Sequence, residues 1–144
     1  MKWAQIAILG LLGGLVAAPS SAATYECTLK SHTSNGWISP ALILILNPEM
    51  TKAAIYDYYV QKAYGEPIPA RVSRMSANKL RFEWRVNDIK VSNINMKASF
   101  DAKATFDLRD NKMRVRVFIR GSDTDAHGSG KCEIQKPGKR GKKK

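Results

Sequence analysis

Residues 98–119 read ASFDAKATFDLRDNKMRVRVFI. Every even position from Ala98 to Leu108 is apolar, while the odd positions are charged or hydroxylated. Beyond the break, Met113, Val115, Val117 and Ile119 alternate with Arg114, Arg116, Phe118 and Arg120. Period two sustained over this length marks half-buried antiparallel strands. Asp110-Asn111 has the chemistry of a two-residue hairpin loop. That loop predicts pairing of Leu108 with Met113, Phe106 with Val115, Ala104 with Val117 and Ala102 with Ile119. On the outer face it predicts Asp107 opposite Arg114 and Asp101 opposite Arg120, pairs of opposite charge that favour the register.

The same periodicity extends outward. Leu80, Phe82, Trp84 and Val86 share one face, and Lys79, Arg81, Glu83, Arg85 and Asn87 the other. A three-residue loop at Ser76-Ala77-Asn78 sets Val72 against Phe82, Ala70 against Trp84, Ile68 against Val86 and Arg71 against Glu83. Further strands are predicted around Tyr25–Lys30, Trp37–Leu46, Ala53–Lys62 and Lys131–Gln135. They are separated by turn chemistry at Asn35-Gly36, Asn47-Pro48-Glu49 and Gly65-Glu66-Pro67. The fold class is therefore all-β. About eight strands with short connections form a small antiparallel up-and-down barrel, lipocalin-like, which removes the exposed edges of an open sheet. A flattened barrel or sandwich would keep most of the same hairpins. Ala41–Leu46 is apolar on both faces, and a strand there turns Ala41, Ile43 and Ile45 outward as a contact patch, or under a barrel-end loop or helix. Tyr56, Tyr58, Phe82, Trp84, Phe100 and Phe106 are expected inside with Ala54, Ala98, Ala102 and Ala104, filling the interior. Arg74 is expected to approach that interior.

The ends read differently. Met1-Lys2, an uncharged apolar run from Trp3 to Ala18, and Pro19–Ala23 have the layout of a secretory signal peptide over residues 1–23. The run, about 16 residues, is short of the ~20 that span a bilayer, so no transmembrane segment is expected in the mature chain. The barrel domain is assigned to 24–135. In an oxidising compartment, periplasmic or extracellular, Cys27 and Cys132 are expected to form one disulfide between the first and last strands. Residues 136–144 carry six basic groups and no acid, and are expected to be a disordered polybasic tail.

The chain carries 24 basic and 12 acidic side chains, a formal net charge of +12. Lys139, Arg140, Lys142, Lys143 and Lys144 of the tail, with Arg81, Arg85 and Arg116 of the outer faces, are the candidate anion-binding residues. Arg71, Arg114 and Arg120 are assigned to cross-strand carboxylates instead. Asp123-Thr124-Asp125-Ala126-His127-Gly128 has the oxygen spacing of the start of a calcium loop, but Ile134 falls where the closing acid is required. A polar inter-strand loop is the better reading, and no metal or cofactor is assigned. Neither His32 nor His127 belongs to a nucleophile motif, and no G-x-S-x-G turn exists. The chain is therefore read as non-enzymatic, with no catalytic residue.

The Tyr25-Glu26-Cys27 start, the late Cys132 and the expected export resemble the small periplasmic β-barrels of bacteria, the C-type lysozyme inhibitors among them. The Ser-Gly-x-x-Tyr loop that marks those inhibitors is missing, so no inhibitory residue carries over. The expected function is that of an exported binding protein. Its basic tail and surface arginines would hold it to an anionic envelope surface or polymer, with a protein partner as a further option. Nucleic acid is not favoured as a partner outside the cytoplasm. The alternatives are a small-ligand carrier of lipocalin type and an inhibitor of an envelope hydrolase. The inhibitor would need a protruding loop, at His32–Trp37 or Ser122–Gly130.

Overall fold

The computed structural model describes residues 21–91 and 96–135. The expected signal peptide, but for its last three residues, and the polybasic tail lie outside the described residues. Eight strands follow in order: β1 (Ala23–Ser31), β2 (Ala41–Leu46), β3 (Ala53–Asp57), β4 (Ile68–Ser76), β5 (Lys79–Lys90), β6 (Lys97–Asp107), β7 (Lys112–Ile119) and β8 (Asp125–Gln135). A single helix, α1 (Tyr58–Tyr64), interrupts them between β3 and β4. Each strand pairs antiparallel with its neighbour in sequence, and β8 returns to β1, so the sheet closes into an up-and-down barrel.

Alternation built the walls as expected. Leu42, Leu44, Leu80, Phe82, Phe100, Phe106 and Met113 point inward and are all but inaccessible. Tyr25 meets Phe106 edge-on at 5.1 Å between ring centroids. These side chains belong to one buried hydrophobic cluster inside the barrel. Ala41, Ile43 and Ile45 do face outward on β2, where Ile43 lies opposite Tyr56 and Ile45 opposite Ala54.

Two hairpins test the expected registers. Val72 pairs with Phe82 and Arg71 with Glu83, as read. The turn itself is tighter, Ala77-Asn78, and a bulge between Arg74 and Ser76 takes up the third residue. The ladder to β5 begins at Arg71, so the expected pairs of Ala70 with Trp84 and Ile68 with Val86 are not made; on their other side Ala70 pairs with Ala53 and Ile68 with Ile55 of β3. Between β6 and β7 the register differs by two residues: Phe106 faces Met113, Ala104 faces Val115 and Ala102 faces Val117. The loop is Leu108-Arg109-Asp110-Asn111, not Asp110-Asn111 alone. Asp107 accepts from the Arg109 backbone N–H at 2.9 Å, and this side-chain turn ends the strand early. Asn111 adopts φ 53°, the left-handed conformation that closes the loop. A shift of two leaves every side chain on its expected face, and only its partners change.

The third strand corrects the reading more deeply. It stops at Asp57, where the expected strand ran to Lys62. Asp57 caps α1 by accepting from the Val60 N–H at 2.8 Å. Gly65, at φ 72°, ends the helix, its N–H donating to the Gln61 carbonyl. Ala53, Ile55 and Asp57 face inward, so Ala54, Tyr56 and Tyr58 do not. Val60 plugs the barrel end beneath the helix. Trp37–Pro40 likewise belongs to the loop before β2, not to the strand. Arg74 is exposed and donates to the Ala77 carbonyl at 3.1 Å, away from the interior.

Cys27 and Cys132 are bonded directly across the β1–β8 seam, joining first strand to last. Among the described residues no helix is long and apolar enough to cross a membrane.

Candidate anion-binding face

Strand pairing fixes which outward side chains become neighbours. On the wall formed by β5, β6, β7, β8 and β1, one cross-strand row is Arg81, Thr105, Arg114, Ser129 and Lys30. The next row, two residues along, is Glu83, Lys103, Arg116 and His127. His32 completes it from the end of β1, its N–H donating to the His127 carbonyl at 2.8 Å. A third row, on the other side, holds Lys79, Asp107, Lys112 and Lys131. Arg81, Thr105, Arg114 and Ser129 of the first row and Lys103, Arg116, His127 and His32 of the second line a shallow basin of about 750 Å³ on the outer wall, with Asp125 at its border; Lys30 and Glu83 lie beyond it.

Some of its charges are committed. Arg116 donates through Nη2 at 2.8 Å and Nε at 3.1 Å to one Asp125 oxygen. That hydrogen bond holds the Asp125 carboxyl below the usual carboxylate range. The Arg116 guanidinium also lies 5.0 Å from the Phe118 ring centroid, which orients it further. Arg81, Lys103 and Arg114 form no ion pair among the described residues. Between them stand the hydroxyls of Thr105 and Ser129, and Ser129 Oγ shares a hydrogen bond of 2.8 Å with His32 Nε2. The His32 and His127 rings are 5.9 Å apart. Guanidinium, ammonium and hydroxyl donors converging on one concavity suit phosphate, sulfate or carboxylate oxygens.

The Ser129–His32 contact has the distance of a nucleophile and its base. Among the described residues no carboxylate accepts from the other nitrogen of His32, so the group that would orient the base is missing. The shared hydrogen bond fixes the two side chains against each other at the edge of the basin.

Of the expected anion ligands, Arg81 lies in the basin and Arg116 at its edge. Arg85 sits outside it, bonded to Asp101 at 2.7 Å, and Asp101 also holds Arg120 at 3.3 Å. Lys139, Arg140, Lys142, Lys143 and Lys144 lie outside the described residues. The shifted register explains what the sequence reading missed. It moves Arg114 from Asp107 to Thr105, freeing a cation that had been assigned a partner. His32, Lys103, Thr105 and Ser129 carry no motif and become neighbours only once the rows are aligned.

The polar stretch from Asp123 enters β8 at Asp125, and Asp125 is taken by Arg116. Most of Ser122–Gly130 is thus strand, not a protruding loop. The loop after β1 is pinned to the barrel: Asn35 donates to the Asp125 carbonyl at 2.9 Å, and Tyr59 donates to the Gly36 carbonyl. Among the described residues no group of three or more metal-ligating side chains comes together. In comparisons with known proteins, no family model, no curated protein and no solved structure matches this chain.

Proposed function

We propose that this protein is an exported, non-enzymatic binding protein that associates with anionic components of the cell envelope. The observation that carries the reading is the convergence of Arg81, Lys103 and Arg114 on a basin where none of the three forms an ion pair among the described residues, the basin's one carboxylate, Asp125, being held by Arg116. Cations left unpaired on a rigid wall repel one another, and a bound polyanion relieves that repulsion. The disulfide supports residence in an oxidising compartment, periplasmic or extracellular. The tail residues Lys139, Arg140, Lys142, Lys143 and Lys144 add attraction of about 1 kcal/mol each near an anionic surface.

Co-sedimentation with vesicles of phosphatidylglycerol and of phosphatidylcholine tests the reading. The protein is expected to sediment with the first and not the second, and to be released by salt. The triple variant R81Q/K103Q/R114Q and deletion of residues 136–144 should each weaken retention. Equal retention on both lipids, or retention indifferent to the triple variant and to the deletion, would overturn it.

A further inference from the structure

We propose that the basin is the middle of a longer track, which takes a linear polyanion bearing repeated phosphate or sulfate groups and lays it across the strands. The proposal rests on the anion-binding reading and adds the form of the ligand. Arg81, Arg114 and Lys30 occupy alternate strands of one row, with the hydroxyls of Thr105 and Ser129 on the strands between. Neighbouring strands lie about 4.8 Å apart, so the backbone path from Arg81 to Lys30, curving with the barrel over four strand steps, is roughly 19 Å long. Cations therefore recur about every 10 Å along it, with a donor halfway. A single oxyanion reaches one cation of that row, whereas a chain of oxyanions reaches all three. Lys103 and Arg116 flank the row on one side with Glu83, and Lys79, Lys112 and Lys131 on the other with Asp107, so cations outnumber carboxylates on both borders.

A second feature separates a phosphate or sulfate polymer from single-stranded nucleic acid. Proteins that hold single strands add aromatic side chains on which bases stack. No Phe, Tyr or Trp lines the basin. Phe118, on the same outer wall, lies outside the basin lining, with the Arg116 guanidinium 5.0 Å from its ring centroid. The track therefore offers charge and hydroxyls to a backbone, with only the His32 and His127 rings, which lie 5.9 Å apart, and its guanidinium planes as flat surfaces for a base.

A chain-length series on the full-length protein tests this, with orthophosphate, tripolyphosphate and long-chain polyphosphate compared by titration calorimetry at one fixed salt concentration. Linking sites raises affinity without new contacts, so long chains are expected to bind roughly 100-fold tighter than tripolyphosphate. The end variant K30Q, whose lysine lies on the row but outside the basin lining, should remove much of that gain while leaving tripolyphosphate binding nearly unchanged. The central variant K103Q/R114Q should weaken both. Circular dichroism of each variant checks that the barrel is intact. Chains of all lengths binding alike would overturn the track but leave an anion site standing. A length dependence untouched by K30Q would place the polymer elsewhere on the chain and also overturn it. Tighter binding of oligothymidylate than of polyphosphate would overturn the choice of polymer. No binding of any of these anions would remove the underlying anion-binding reading as well.

Discussion

Gly130 of β8 lies directly beneath the Thr28 carbonyl of β1: a Cβ placed on it would stand 1.7 Å from that oxygen. The obstacle is backbone, not the end of a flexible side chain. Closure of the barrel at this seam thus depends on a missing methyl group. Gly130→Ala is expected to destabilise the fold by about 3 kcal/mol or more, the upper end of what overpacking costs. The midpoint of urea unfolding reads this directly. A shift of less than about 0.5 kcal/mol, the scale of an ordinary surface substitution, would show that the seam is looser than described.

The same seam carries the disulfide, with Cys27 and Cys132 separated by 105 positions in sequence. Cross-linking so long a loop removes much of the freedom of the unfolded chain, about 4.7 kcal/mol in the chain-entropy treatment, with smaller values common in practice. Cys27→Ser/Cys132→Ser is therefore expected to lower stability by about 3–4 kcal/mol while leaving the far-ultraviolet spectrum that of a β-barrel. Loss of the β spectrum at 25 °C would mean that the strands do not close without the cross-link.

Asp57 stands at the junction of β3 and α1, and desolvation by burial pushes its carboxyl above the usual range, against the lowering effect of the backbone N–H donors of Val60 and Tyr59. A raised folded-state value means that the acid favours the fold in its protonated form. Its contribution is complete below the unfolded value of 3.8 and is lost as pH rises through the folded value. Asp57→Asn keeps a good cap without the buried charge, so it should be at least as stable as the parent at pH 7. The two should converge as pH falls toward 4. Asp57→Ala loses the cap and should cost about 1 kcal/mol. Thermal melts of the three proteins between pH 4 and 7 check the order, which a less stable asparagine variant at pH 7 would contradict.

Asp125 restrains the basin electrostatically by holding Arg116. Asp125→Asn removes a negative charge and frees a guanidinium. Polyphosphate affinity should rise by up to about fivefold, the equivalent of one more cation at an anionic surface. The thermal midpoint should stay near that of the parent, because both partners are largely solvated. Reduced affinity would mean that Arg116 binds the ligand only in the orientation Asp125 gives it.

The faces of the strands were legible because period two survives any even slip. The sequence placed Phe100, Ala102, Ala104 and Phe106 inside before their partners were known. Their register was not legible, because Asp107 ends β6 through a side-chain turn that no alternation records. The β3 reading failed for a related reason. Ala53–Lys62 alternates acceptably in either phase, and Asp57 resolves it only by capping a helix whose burial of Val60 comes from the barrel end. The basin is a product of register. Arg81 and Arg116 were visible as surface cations, but Arg114 looked neutralised until β7 slid two residues along β6.

Amide chemical-shift mapping during titration of the isotopically labelled protein with long-chain polyphosphate tests the anion-binding face most directly. Perturbations should concentrate on Arg81, Lys103, Thr105, Arg114, His127 and Ser129, and spread along the row to Lys30. Shifts confined instead to the outer faces of β2 and β3, around Ile43 and Tyr56, or to the residues after Gln135, would contradict the account.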